Sequence, residues 1–342
     1  MFQTAELGRT LSKDDYLEQV PALRAALLEI QQRLRGAPFP VIIVFGGVDG
    51  AGKSETMNLL NAWMDPRWIT TRAYGEPSDE MLERPEFWKY WRDLPPSGQI
   101  GLFHSSWYSR PILDRVFERS SEPEFDDALE QVASFEKGLA DGGALILKFW
   151  MHLGRSAQED RLHQLESDPL TRWRIRAVDW EHWKKYDAFV AAAERAIMRT
   201  STVLAPWHIV EGFDERYRSV TVGGILLKAI TKHFEEYELR QEVAEARRAR
   251  KQKGGKKRKD SRDRAAVTNA EDLLARTGVT PASSSDTILN RLDMGRALGK
   301  KEYQQLLEEH QGQLNQLARE AKNRGLSTIL VFEGWDAAGK GG

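Results

Sequence analysis

The 342-residue sequence contains no cysteine, which excludes disulfides, thiolate metal centres and cysteine nucleophiles together. It also lacks a long apolar run. Residues 41–45 are typical of the longest, far short of the roughly twenty residues a membrane-spanning helix needs. Residues 1–19 are polar and charged, without the apolar core of a secretion signal, so the expectation is a soluble, cytoplasmic protein with no membrane partner. Net charge is nearly absent as well, at −1 from 50 Lys and Arg against 51 Asp and Glu. That average conceals an asymmetry, because residues 247–264 hold eleven Lys or Arg against Asp260 and Asp263. Such a stretch reads as a solvated, flexible linker, and its cationic density also attracts polyanions. No zinc-finger, helix-turn-helix or RNP-type aromatic pattern accompanies it, so no specific nucleic-acid partner is expected. What is present is apolar content of 41%, enough to bury a sizeable core.

Apolar residues recur at helical spacing at Leu17, Val20, Leu23, Leu27, Ile30 and Leu34, which predicts an amphipathic helix over 16–34. The run Val41-Ile42-Ile43-Val44-Phe45 has no alternation, the pattern of a strand buried on both faces of a parallel sheet. Shorter apolar segments follow at 100–103, 144–149 and 208–210. Helix-compatible stretches separate them at 124–140, 157–166, 180–200 and 220–238. Strands alternating with helices predict a doubly wound α/β fold.

The chain repeats itself. Residues 6–16 resemble residues 293–303, and the offset of 287 continues without a gap. It aligns Leu27 with Leu314, Phe45 with Phe332, Asp49 with Asp336 and Lys53 with Lys340. We therefore expect two tandem copies of one domain. The first spans 1–238, a basic linker spans 239–285, and 286–342 is the start of a second copy that stops in its own phosphate loop and is poorly stable alone. Continuing the gene beyond residue 342 is expected to complete that copy.

Gly47-Val48-Asp49-Gly50-Ala51-Gly52-Lys53-Ser54 fits the phosphate-binding loop pattern G-x-x-x-x-G-K-[ST], between a buried strand and a helix. Gly47, Gly50 and Gly52 let backbone N–H groups approach phosphate oxygens, and the following helix N-terminus favours an anion. Lys53 then bridges phosphoryl oxygens and Ser54 faces Mg²⁺. Asp49 reads either as a second Mg²⁺ ligand or as a turn-stabilising side chain bonded to its own backbone. The second copy has Gly334, Asp336, Gly339, Lys340 and Gly341, with glycine where Ser54 stands.

The loop is followed by Gly75-Glu76-Pro77-Ser78, then by Arg84-Pro85-Glu86-Phe87-Trp88-Lys89-Tyr90-Trp91-Arg92 and Ser106-Trp107-Tyr108. Further along come Lys148-Phe149-Trp150, Asp168-Pro169-Leu170-Thr171-Arg172-Trp173 and Ala205-Pro206-Trp207. As a set these resemble the polyphosphate kinase 2 family over residues 9–236 and again over 296–342. The two-copy arrangement resembles its AMP-phosphorylating members. The resemblance implies a P-loop kinase-like parallel sheet flanked by helices with a helical lid. It further implies polyphosphate and AMP as partners, Mg²⁺ as cofactor and phosphoryl transfer giving ADP; a homo-oligomer is expected. An ATP-dependent nucleoside monophosphate kinase would carry the same loop. A non-catalytic domain that binds phosphate chains or mediates assembly is the third reading.

One departure decides between roles for the first copy. Where the family has Asp-Arg-Ser-Trp-Tyr-Asn, this chain has His104-Ser105-Ser106-Trp107-Tyr108-Ser109. The position after a buried strand is where P-loop enzymes place the acid that holds Mg²⁺, and imidazole is a poor substitute for a hard cation. Ser105 supplies no charge where an arginine would neutralise the transition state. The first copy is expected to be impaired, with catalysis by Asp336 and Lys340 of the second copy and the counterparts Asp49 and Lys53 left weak. Arg155, Arg161 and Arg172 are the expected lid arginines, beside Arg174 and Arg176. His152, His163 and His182 show no metal spacing and read as structural or solvent-facing.

Overall fold

The computed structural model of the chain describes residues 1–75, 78–254, 297–326, 328 and 330–331. Five strands, β1 (Val41–Gly47), β2 (Ile69–Ala73), β3 (Ile100–His104), β4 (Leu145–His152) and β5 (Trp207–Glu211), form one sheet in the order β2-β3-β1-β4-β5. Every pairing is parallel. The helices are α1 (Lys13–Leu34), α2 (Lys53–Trp63), α3 (Asp79–Leu82), α4 (Trp88–Arg92), α5 (Ser109–Val116) and α6 (Glu122–Asp141), then α7 (Arg155–Ser167), α8 (Ala177–Lys184), α9 (Tyr186–Thr200), α10 (Glu215–Gly254) and α11 (Lys300–Asn323). The chain divides into two compact units, the first made of Met1–Glu238 together with Leu314–Gly342 and the second of Leu239–Gln313, so the division does not follow the expected boundaries at 238 and 285.

β1 is buried from Val41 to Phe45 because both of its faces are covered. Val41, Ile43 and Phe45 join a cluster with Leu27 of α1, Leu60 of α2 and Leu226 of α10. Ile42 and Val44 point the other way, into a cluster with Ile112 of α5, Leu129 of α6 and Ala193 of α9. The period-two geometry of a strand thus turns a continuous apolar run into two cores, one per face. Local signals fix the helix ends. Ser12 Oγ accepts from Asp15 N at 3.1 Å to cap α1, and Ser121 and Glu124 form a reciprocal capping box on α6.

Three expectations change. The stretch 180–200 is two helices rather than one, because the chain turns at Lys185 between α8 and α9. β2 was not anticipated: it is an edge strand, half-buried at Ile69 and Thr70 and exposed beyond, so it lacks an apolar run. Residues 239–254, read as the start of a flexible linker, continue α10 to Gly254. Glu, Ala, Arg, Lys and Gln dominate that segment and all are strong helix formers. Residues 255–285 lie outside the described residues, as does the second phosphate loop with Gly334, Asp336, Gly339, Lys340 and Gly341. Among the described residues no helix is long and apolar enough to cross a membrane.

The sheet order places the site. The connection after β1 leaves toward β2, whereas the connection after β4 leaves toward β5. The crevice between two such departures opens at the C-terminal ends of the central strands, where doubly wound folds bind ligands.

Candidate active site

Residues 47–54 leave β1 in that crevice and feed α2. Gly47, Gly50 and Gly52 have φ of 135°, 80° and 86°, values that side-chain-bearing residues rarely adopt. At Gly47 the space is forbidden too, since a Cβ would lie 2.1 Å from the Met151 carbonyl oxygen on β4. Gly52 caps α2 in the left-handed conformation. Lys53 Nζ donates to the carbonyls of Gly47 at 2.7 Å and Val48 at 2.8 Å, and stands 3.5 Å from Asp49 Oδ1. The amine is folded onto its own loop and pins it.

Asp49 is tied down by groups distant in sequence. Its Oδ2 lies 2.6 Å from His182 Nδ1 of α8, and its backbone carbonyl accepts from Gln158 Nε2 of α7 at 3.0 Å. Burial works to raise the Asp49 carboxyl, but the Lys53 charge and the His182 hydrogen bond outweigh it and hold the group at about 2. Asp49 is therefore a carboxylate at neutral pH. His182, read from the sequence as structural or solvent-facing, is held by this contact against the 47–54 loop. Asp179 of α8 also approaches, with Asp49, Asp179 and His182 offering ligand atoms within 4.8 Å of one another. The Asp179 carboxylate is occupied as a cap, accepting from Arg176 N at 2.6 Å. His152 is buried against Phe2 and lies 2.7 Å from Glu6 Oε1, and His163 packs against Trp180.

β3 runs beside β1, and its end delivers His104 to the loop. His104 Nε2 lies 3.3 Å from Ser54 Oγ, and Nδ1 lies 3.1 Å from Ser105 Oγ. Burial, reinforced by the Lys53 charge, pulls His104 down to about 4, so at neutral pH it is an uncharged imidazole. Ser105 takes φ 55°, a strained value for a residue with a Cβ. The turn is nonetheless firmly anchored. Trp107 Nε1 and Tyr108 Oη donate to Glu136 Oε1 at 3.0 and 2.8 Å, and Lys148 Nζ donates to Glu136 Oε2 at 2.6 Å. Lys148 also donates to the Thr200 carbonyl at 2.9 Å.

The donor set around Ser54 does not suit magnesium. Mg²⁺ demands hard oxygen ligands in near-octahedral array. Here the Ser54 hydroxyl faces an imidazole, and the Asp49 oxygens are engaged by His182 and Lys53.

The lid segment carries the arginines expected from sequence, with different occupations. Arg161 Nη2 donates to Glu55 Oε1 at 3.2 Å. Arg155 Nη1 donates instead to Asp187 Oδ2 at 2.8 Å, in an exposed pair between α7 and α9. Arg172 is exposed on the short turn of Arg172–Arg174. Two residues the sequence reading left out complete the site. Glu55 accepts from Arg174 Nη1 and Arg218 Nη2, each at 2.8 Å, and Arg218 lies buried directly behind Gly52. No motif spacing signals Arg218; it lies 163 residues from Glu55 and reaches it only through the fold.

A glycine-rich strand–loop–helix turn at the crevice of a parallel α/β sheet, with an arginine-bearing helical segment bonded to its first helical turn, defines a P-loop kinase-like fold. The profile of polyphosphate kinase 2 (PPK2) matches residues 10–238 and 297–342, and the chain belongs to that family. It is 42% identical over its whole length to a polyphosphate:AMP phosphotransferase of Pseudomonas aeruginosa and 38% identical to one of Pseudomonas syringae. The chain spans 63% of the length of each of these relatives. Among solved structures, a polyphosphate kinase 2 from Pseudomonas aeruginosa superposes with a TM-score of 0.63 at 37% identity, covering 94% of this chain and 56% of that one. The polyphosphate kinase 2 of Arthrobacter aurescens gives 0.63 at 27% identity, covering 66% and 82%.

Proposed function

We propose that the protein to which this chain belongs is a polyphosphate:AMP phosphotransferase. An AMP phosphate oxygen attacks the terminal phosphorus of polyphosphate, the P–O bond to the chain breaks, and ADP and a shortened polyphosphate leave. The observation that carries this reading is the glycine-walled loop with Lys53 at its mouth, in a chain 42% identical end to end to a relative of that name. Phosphoryl transfer of this kind needs positioning and charge neutralisation rather than a covalent enzyme intermediate.

Within that activity the two copies divide the work. Residues 1–238 bind phosphate chains and turn over poorly, because His104 and Ser105 offer neither a carboxylate for a divalent cation nor a cation for the transition state. Magnesium and the chemistry belong to the second copy, through Asp336 and Lys340, in a domain that begins after the basic linker 239–285. We extend the reading to a cytoplasmic homo-oligomer whose first domains serve binding and assembly.

The test compares polyphosphate with ATP as donor to AMP, following ADP. The two-copy protein should use polyphosphate; turnover from ATP alone would remove the donor assignment. The present chain should run at least about a hundredfold slower than the two-copy protein. Comparable rates would end the division of labour.

A further inference from the structure

Glu55 directly follows Ser54 on the first turn of α2, and its carboxylate gathers three guanidinium groups from separate parts of the chain. Oε1 accepts from Arg161 at 3.2 Å and Arg174 at 2.8 Å, and Oε2 accepts from Arg218 at 2.8 Å. Arg218 is only 3% exposed. Its Nη1 donates to the Gly212 carbonyl at 2.9 Å, and its Nε has no partner among the described residues. It is a fixed charge beneath the loop. Arg161 and Arg174 are different, being partly exposed. Lys53, Ser54, Trp173 and Arg174 line one cleft together.

Three cations facing one carboxylate form an anion site, and a carboxylate engages guanidinium groups with the same geometry as a phosphoryl group. The repeat supplies the contrast. The offset of 287 sets Gly342 against Glu55, so the second copy has a hydrogen where the first has a carboxylate. We propose that Glu55 is an internal anion that occupies Arg161 and Arg174 in the free protein. A phosphate chain must displace it to be gripped, so Glu55 sets the affinity of the first copy for such chains. This rests on the reading that the cleft takes phosphate chains, and it names the group that competes with them. Arg218 stays on Glu55 throughout and keeps the displaced carboxylate from turning into the ligand.

The probe is tripolyphosphate, titrated calorimetrically into the full chain at fixed ionic strength. Glu55→Gln, which keeps an acceptor for Arg218, should bind at least about tenfold tighter than the unsubstituted chain. Arg174→Ala should change the affinity of the unsubstituted chain by less than about twofold, because that arginine leaves one anion for another. Placed on Glu55→Gln, the same substitution should erase most of the gain. Where Glu55→Gln folds poorly, Glu55→Gly, the residue the repeat has at Gly342, takes its place in the cycle. Equal or weaker binding by Glu55→Gln overturns the proposal, as does an equal loss from Arg174→Ala in both backgrounds. So does an absence of binding by every variant. AMP phosphorylation by the two-copy protein is read separately, so failure of the internal anion and failure of the proposed activity are distinguishable.

Discussion

Two turns stand side by side at the C-terminal edge of the sheet, one after β1 and one after β3. The first keeps what backbone geometry demands: left-handed glycines, a strand–loop–helix path and a lysine pinning the loop. The second is as firmly held but offers no charged group. Trp107 and Tyr108 are anchored on Glu136, while His104 presents an uncharged imidazole to the cleft and the Ser105 hydroxyl lies against that ring. On the proposed division of labour, holding a phosphate chain and transferring from it become separable properties. The cradle depends on where N–H groups point, and the transfer on a few side-chain charges.

The sharpest way to break the comparison is to restore the second turn. His104→Asp combined with Ser105→Arg should raise magnesium-dependent AMP phosphorylation by this chain at least about a hundredfold, since one transition-state arginine alone is worth that much. An unchanged rate would mean that the defect lies elsewhere in the first copy. Damaging the first turn should act on binding and stability instead. Gly47→Ala places a Cβ against the Met151 carbonyl and should cost about 2–3 kcal/mol in urea unfolding. Tripolyphosphate affinity should fall with it. Full retention of both would show the loop to be more compliant than its contacts imply.

The smallest effect concerns pH. His104 is held at about 4 by burial and by Lys53, below the roughly 6.5 of an unfolded imidazole. Between those values the unfolded chain binds more protons than the folded one, so stability falls as pH drops from about 6.5 toward 4. His104→Asn should flatten that fall by about 2 kcal/mol, read from urea midpoints at pH 7 and pH 4.5. His152 and His208 are pulled down by burial in the same direction and leave a residual slope. No flattening at all would place His104 in solvent.

What could be read from the sequence was local. A β-branched run followed by spaced glycines and Gly-Lys-Ser specifies strand, loop and helix within about twenty residues, because each signal acts on its own backbone. The contrast expected at His104 and Ser105 rests on the same kind of local signal, a residue type at a fixed place in a motif. β2 was not legible, because an edge strand half in water needs no apolar run. Nor were the partners of Asp49 and Glu55. His182 lies 133 residues from Asp49, and the fold alone brings them to 2.6 Å. Residue spacing along the chain carries no information about such meetings.

The buried Lys148 has a consequence for what the second turn can become. Its ammonium must meet Glu136 from α6, Tyr108 beside the turn and the Thr200 carbonyl from α9 at once. Sliding either helix by one residue would strand a charge in a dry interior, at a cost of several kcal/mol. The wall behind residues 104–105 is therefore locked in register whatever those two residues are. An acid and an arginine introduced there would leave the Lys148 contacts with α6 and α9 in place.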